Sequence, residues 1–112
     1  MIIDTFNESW RQLQQHLSEI ENTHLRDLFA CDSQRAKNLS VSACGLNLDY
    51  SKNRITVKTR SLLMTLAESA QLQQKRDAMF AGVAINNTEN RSVLHTALRQ
   101  QGNTPVLVDG ID

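Results

Sequence analysis

The chain has 112 residues, with 12 basic and 12 acidic side chains and 4% aromatic residues. A neutral chain whose basic residues are scattered has no electrostatic reason to bind nucleic acid or an anionic membrane. No run of 18 apolar residues occurs, which excludes a transmembrane helix. The length fits one modest domain that buries roughly 65% of its unfolded surface.

The first predicted element is an amphipathic helix. Five large apolar residues recur along it at helical spacing: Phe6, Trp10, Leu13, Leu17 and Ile20. Such a stripe is more often core than a docking face, although Trp10 would anchor an interface well. A short second helix follows, with apolar residues on one side at Leu25, Leu28 and Phe29.

The pattern changes to that of a β-hairpin between Leu39 and Tyr50. Apolar Leu46 and Leu48 alternate with polar residues, which predicts a half-buried strand. Val41 and Ala43 precede it, and Cys44-Gly45 offers a tight reversal between the two. Residues 51–53, Ser-Lys-Asn, are typical of a turn.

Helical spacing returns in the second half of the chain. Apolar residues at that spacing are Leu62, Leu63, Leu66, Ala70, Leu72, Met79 and Phe80, with Gly82 placed to end the helix. A last helix is predicted from Asn86-Asn87-Thr88, any of which could cap it, to Gly102. Its predicted buried face is Val93, Leu94, Ala97 and Leu98.

The chain closes on an apolar, β-branched run, Val106 to Val108, followed by the turn signal Asp109-Gly110. A fully apolar strand expects sheet partners on both sides, and nothing upstream supplies them. We therefore expect the chain to be cut where it enters an α/β core. The predicted fold class is mainly α with a small β-hairpin, as the N-terminal part of a larger α/β protein.

Chemistry-bearing residues form no recognisable site. The histidines His16, His24 and His95 lack the spacing of a helical metal site, and Cys31 and Cys44 lack that of a zinc knuckle. Residues 1–7 carry no basic cluster, so we expect no targeting signal and a cytoplasmic protein with reduced thiols, a single disulfide being the alternative.

The last predicted helix carries the only candidate charged pairs. Glu89 and His95, six residues apart, point to different faces and make a poor acid–base dyad. Arg91 and His95, four apart, share a face, which favours a hydrogen-bonded packing surface over a ligand site.

A known family becomes recognisable at Gly82 to Arg99, GVAINNTENRSVLHTALR. This segment resembles a sequence motif of the glucose-6-phosphate isomerase (phosphoglucose isomerase) family, which reads Gly-Glu-x-Ile-Asn-x-Thr-Glu-x-Arg-x-Val-Leu-His-x-Ala-Leu-Arg. Collinear matches lie at residues 25–35, 48–55, 76–80 and 104–110. The matching motif residues are Asp49, Tyr50, Ser51, Lys52, Asn86, Thr88, Glu89, Arg91, His95 and Arg99. Val83 and Ala84 depart from the family, which usually has charged residues there.

The resemblance implies a much longer cytosolic homodimer of two α/β sandwich domains. Such enzymes interconvert glucose 6-phosphate and fructose 6-phosphate in glycolysis and gluconeogenesis, with no metal or organic cofactor. Their glutamate base, ring-opening histidine and lysine, steadying arginine and phosphate-binding hydroxyls and backbone N–H groups all lie downstream of this segment. The resemblance therefore implies an N-terminal segment over residues 1–112 that holds structural motif residues and no catalytic, substrate-binding or metal-binding residue.

Two expectations follow from this reading. The isolated chain should be inactive, and its uncovered apolar surface should make it self-associate. The competing hypothesis is a non-enzymatic helical binding module that uses the Trp10 face.

Overall fold

The computed structural model describes residues 2–111, with the backbone alone for Ile2. The elements in that range are α1 (Ile2–Ile20), α2 (Leu25–Cys31), α3 (Arg35–Asn38), β1 (Ser40–Ala43), β2 (Leu46–Asp49), α4 (Val57–Ser69), α5 (Leu72–Phe80) and α6 (His95–Arg99). The prediction of a mainly helical chain with a small β-hairpin is confirmed. The ends of the predicted 1–112 segment, Met1 and Asp112, lie outside the described residues.

The chain divides into two compact units, an N-terminal unit up to Ser69 and a C-terminal unit from Ala70. No helix within residues 2–111 is long and apolar enough to cross a membrane. Both cysteines are exposed free thiols, Cys31 at the end of α2 and Cys44 in the hairpin turn.

The N-terminal unit is built on the pairing of α1 with α4. The two most buried described residues of α1 are polar, Ser9 at 4% and His16 at 3% exposed, while Leu13 and Ile20 are half-buried. The predicted apolar stripe is therefore wrong as a core for three of its members, since Phe6, Trp10 and Leu17 are 38%, 52% and 57% exposed. Adjacent residues lie 100° apart around a helix, so packing centred on Ser9 leaves Trp10 at the side.

The hairpin forms at the predicted place. β1 and β2 pair antiparallel, with Val41 opposite Leu48 and Ala43 opposite Leu46. Cys44 and Gly45 make the two-residue turn, and both have positive φ, 53° and 74°, as the turn that matches strand twist requires. The prediction that Leu46 and Leu48 are half-buried is wrong, since they are 76% and 58% exposed because no described element covers that face.

Cys44 is a poor residue for its backbone conformation. A left-handed φ costs a residue with a Cβ about 1 kcal/mol, and Asn tolerates it best. We expect Cys44→Asn to raise the free energy of unfolding by about 0.5 kcal/mol and Cys44→Val, whose branched Cβ resists this φ, to lower it. Urea unfolding followed by circular dichroism checks both, and equal effects of the two variants would contradict the assignment.

The C-terminal unit holds α5 and α6. Ala81 caps α5, and Gly82 follows at φ 76°, which confirms the predicted glycine end of that helix. The helix predicted to run from Asn86 to Gly102 is wrong, because only His95–Arg99 is helical. Residues 86–91 form a turn instead, closed by backbone bonds between Asn86 and Arg91.

The last predicted helix is short, and much of its predicted apolar face is exposed. Leu98 is 87% exposed and Leu94 is 36% exposed, where burial was predicted. Helices of this length are marginal without tertiary packing. The strand predicted at residues 106–108 is also wrong, since no strand of the described residues covers this range, and Val108 instead forms an isolated bridge with Ile111 across the confirmed turn at Asp109-Gly110. An isolated apolar segment forms no ladder without a partner strand.

Candidate functional site

A buried arginine organises the first group of motif residues. Arg35 lies on α3 and is 4% exposed. Its guanidinium donates from Nε to the Ser51 carbonyl (2.9 Å), from one terminal nitrogen to Asn53 (2.7 Å) and from the other to Ile55 (2.9 Å). The Phe29 ring lies 5.4 Å from the guanidinium carbon. The planar guanidinium of arginine can donate several hydrogen bonds at once, so this one side chain satisfies three carbonyls of the 51–55 turn.

The motif run from Asp49 to Lys52 sits on that turn. Asp49 Oδ1 accepts the backbone N–H of Ser51 at 2.9 Å. The Ser51 hydroxyl, and then this backbone N–H, hold the pKa of the Asp49 carboxyl below its ordinary value. Ser51 is 2% exposed, and the Tyr50 hydroxyl lies 3.3 Å from Arg60 Nη1. Lys52 is exposed. Except for Lys52, the side chains of this run are engaged in shaping the loop.

A second buried polar group joins α1 to α4. His16 Nδ1 lies 2.7 Å from Glu19 Oε2, and His16 Nε2 lies 2.7 Å from Thr59 Oγ1. A carboxylate only accepts, so the Nδ1 atom carries a proton. Thr59 and Thr56 also cap the start of α4 reciprocally, each backbone N–H donating to the hydroxyl of the other. The histidine is therefore held as a packing residue, as the sequence favoured.

The ion pair at the edge of this group makes stability depend on pH. Hydrogen bonds from Lys58, and then from His16, hold the pKa of Glu19 below its ordinary value. Because the pKa is depressed in the folded state, this contribution is present above the unfolded pKa and is lost as pH falls through the folded one.

We expect the Glu19→Gln variant to lose less free energy of unfolding than the unmodified chain as the pH falls below about 5. Urea midpoints measured across the acid range check this expectation. Glu21→Gln is the control, because Glu21 is exposed just beyond the same helix. A Glu19→Gln profile parallel to that of the unmodified chain would contradict the assignment.

The second group of motif residues forms the turn at 86–91. Asn86 Oδ1 accepts from the backbone N–H groups of Thr88 (3.2 Å) and Glu89 (3.3 Å) and from the Thr88 hydroxyl (2.8 Å). Asn86 is thus the predicted cap, but it caps a single turn, because Asn90 adopts φ 52° and ends it. Arg91 then pairs through its backbone with Asn86.

The predicted face shared by Arg91 and His95 does not exist, since Arg91 precedes α6 and only His95 lies on it. Arg99 is in the last turn of α6, where a cation suits the helix dipole. Asn86, Thr88 and Glu89 therefore lie in one turn with the Arg91 backbone. His95 and Arg99 lie outside that turn.

The described residues of each unit line a cavity. In the N-terminal unit a groove of about 350 Å³ has Cys31, Asp32, Lys58 and Arg60 on its wall. Its charged groups are engaged: Lys58 with Glu19, Arg60 with the Asn38 carbonyl, and Asp32 with the backbone N–H of Gln34. No paired acid and base face each other there.

The C-terminal unit has an open hollow of about 590 Å³. Gly82, Val83 and Ala84 are among its lining residues, together with the charged Arg91 and Asp109. The Ser92 hydroxyl donates to the Gly82 carbonyl at 2.6 Å. Within residues 2–111, no three histidine, cysteine or acidic side chains are grouped to hold a metal ion.

The sequence of the chain matches a known protein family. The chain matches phosphoglucose isomerase over residues 49–112, a range that starts at the Asp49 turn. It is 53% identical over 109 residues to a Hahella chejuensis protein named glucose-6-phosphate isomerase, covering 97% of this chain and 20% of that protein. The chain belongs to the phosphoglucose isomerase family.

Other members of the phosphoglucose isomerase family give the same picture. The Shewanella putrefaciens glucose-6-phosphate isomerase is 49% identical over all 112 residues, which are 20% of its length. The Deinococcus deserti protein of that name is 50% identical over 106 residues, or 95% of this chain and 20% of its own length. The chain thus spans about a fifth of the curated phosphoglucose isomerases it matches.

The sequence predicted the turn at residues 51–53 but a helix where the turn at 86–91 lies, and it did not predict the contacts that hold the first turn. Arg35 was matched to the family's early helix without a role, and its three carbonyl partners lie 16 to 20 residues away in sequence. The link from His16 to Thr59 spans 43 residues. No local pattern signals either contact.

Proposed function

We propose that this chain is the N-terminal part of a glucose-6-phosphate isomerase and supplies structural frame, with no catalytic, substrate-binding or metal-binding residue of its own. The observation that carries the proposal is 53% identity over nearly the whole chain to a protein of that name about five times as long. The proposed whole enzyme is a cytoplasmic homodimer that interconverts glucose 6-phosphate and fructose 6-phosphate.

The contacts of the motif residues support a framing role. Asp49 and Ser51 shape the turn that Arg35 braces, and Asn86 and Thr88 shape a second turn. General acid–base catalysis needs a base within hydrogen-bond reach of the proton it moves, in a pocket that also holds the substrate. In the groove of the N-terminal unit, Asp32 and Lys58 are already engaged, Asp32 with the Gln34 backbone N–H and Lys58 with Glu19.

The test compares the chain alone with a chimera. In the chimera, this chain replaces the matched 109-residue stretch of the Hahella chejuensis protein. A coupled isomerase assay should read background for the chain alone, because losing even a general base costs about 10²–10⁴-fold. The chimera should turn over glucose 6-phosphate. Turnover proportional to the concentration of the 112-residue chain, or a folded but inactive chimera, would contradict the proposal.

A second candidate, a non-enzymatic binding module, is favoured by one observation. Phe6, Trp10 and Leu17 form an exposed apolar strip along α1, with Trp10 52% exposed. Such a strip suits either a partner or self-association of the isolated chain. Iodide quenching of Trp10, in a chimera whose other tryptophans are replaced by Phe, decides between the two functions. If iodide quenches Trp10 less in the chimera than in the chain alone, the result supports the structural role within the isomerase. Equal quenching in both proteins supports the binding module.

A further inference from the structure

The hairpin separates its residues into two faces of opposite character. Cross-strand partners share a face, so Val41, Ala43, Leu46 and Leu48 lie together on one side. That side is exposed, at 52% for Val41, 76% for Leu46 and 58% for Leu48. The other side is wholly polar and carries Ser40, Ser42, Asn47 and Asp49. An alternation this clean marks one face for solvent and the other for a packing partner.

The hairpin lacks the usual protection of an uncovered strand pair. Its strands contain no lysine, no proline and no bulge, since the pairing runs without interruption from Ser40–Asp49 to Ala43–Leu46. A two-stranded hairpin is marginally stable in water unless its apolar face packs on something. Leu39 and Ser51, which flank the hairpin, are nevertheless 4% and 2% exposed, so its base is fixed to the N-terminal unit.

The size of the face decides what covers it. Four residue pairs make a patch of roughly 14 by 10 Å from strand rise and spacing. A stable interface between two proteins buries about 800 Å² on each side. Two copies meeting through this face alone would fall well short, since association also costs translational and rotational freedom. A segment of the same polypeptide meets a much smaller cost, because the tether gives it a high effective concentration.

We propose that the apolar face of the hairpin packs against the part of the same polypeptide that lies outside these 112 residues. This inference rests on the proposed function, in which the chain makes up about a fifth of a longer isomerase. The face formed by Val41, Ala43, Leu46 and Leu48 is then an internal interface of the whole enzyme, and the polar face remains in solvent.

Hydroxyl-radical footprinting tests the proposal without relying on activity. Oxidation of Leu46 and Leu48 is compared between the dilute 112-residue chain and the chimera, with exposed Leu63 on α4 as an internal reference. We expect several-fold protection of both hairpin leucines in the chimera at any concentration. Equal oxidation in the two proteins would overturn the proposal. Protection in the dilute chain alone would overturn it too, because this chain would then cover its own face.

Lysine substitutions on adjacent residues give a matched pair. Leu48→Lys and Asn47→Lys each add one charge to the middle of β2, on the apolar and the polar face respectively. In the chimera, Leu48→Lys should lower the thermal midpoint by about 3 °C or more, and Asn47→Lys by about 1 °C or less. Leu46→Lys should reproduce the effect of Leu48→Lys. Equal shifts from the two faces would overturn the proposal.

The outcomes separate this inference from the proposed function and from a second copy. An inactive chimera that still protects the hairpin leucines refutes the isomerase assignment and supports the interface. An active chimera whose hairpin leucines are unprotected supports the isomerase assignment and refutes the interface. Protection that disappears on dilution of the chimera, together with a dimer that Leu48→Lys dissociates, would assign the face to a second copy and overturn the proposal.

Discussion

Replacing Arg35 by methionine should lower the free energy of unfolding of the N-terminal unit by about 3 kcal/mol or more. The guanidinium serves three carbonyls, at Ser51, Asn53 and Ile55, in a site where the arginine is 4% exposed. Methionine matches much of the length and donates nothing, so these carbonyls lose their partner in a buried setting. Urea unfolding followed by circular dichroism measures the loss.

Arg54→Met is the matched control, because Arg54 lies in the same turn, is exposed and donates one 3.3 Å bond to the Glu21 carbonyl. We expect this variant to stay within about 0.5 kcal/mol of the unmodified chain. Arg35→Lys should fall between the two, because a single ammonium cannot reach all three carbonyls at once. An Arg35→Met cost no larger than that of Arg54→Met would show that the turn holds its shape without the arginine.

The second large effect is expected at Gly82 in the C-terminal unit. A Cβ built there lies 2.6 Å from the Leu107 carbonyl oxygen and 3.3 Å from Val108 Cγ2, and φ is 76°. Alanine would therefore suffer both a left-handed φ and an overlap that only backbone movement relieves. We expect Gly82→Ala to cost this unit about 3 kcal/mol, combining the two penalties. Amide hydrogen exchange of peptides from 72–80 and 104–111 measures the loss.

Gly110→Ala separates the two penalties within the same unit. Its φ is 78°, yet nothing lies within 4 Å of the added Cβ. This variant should cost about 1 kcal/mol, from the backbone conformation alone. If both substitutions had the same effect, the contact between Gly82 and the 107–108 segment would contribute nothing to the unit.

Elements that depend on neighbouring residues were predictable. The helical spacing from Phe6 to Ile20 yields α1, the Cys44-Gly45 pair yields the hairpin turn, and Gly82 follows the end of α5. These features follow from backbone preferences and short-range hydrogen bonds, which act within a few residues.

Predictions that assumed a packing partner were the ones that were wrong. The helix from Asn86 has the right composition, but a short helix whose apolar face is largely exposed does not persist. The burial predicted for Leu46 and Leu48 was wrong for the same reason. In each case the apolar pattern is present and its partner is not among the described residues.

The sequence by itself determined the family, the first two helices and the hairpin after them, because these depend on the identity and spacing of residues along the chain. Only the tertiary structure decided which side of α1 is buried and what the motif turns are built on. Ser9 and His16, not Trp10, face α4, and Arg35 reaches three carbonyls beyond the hairpin. Those outcomes depend on contacts between residues far apart in sequence, whose geometry no local pattern encodes.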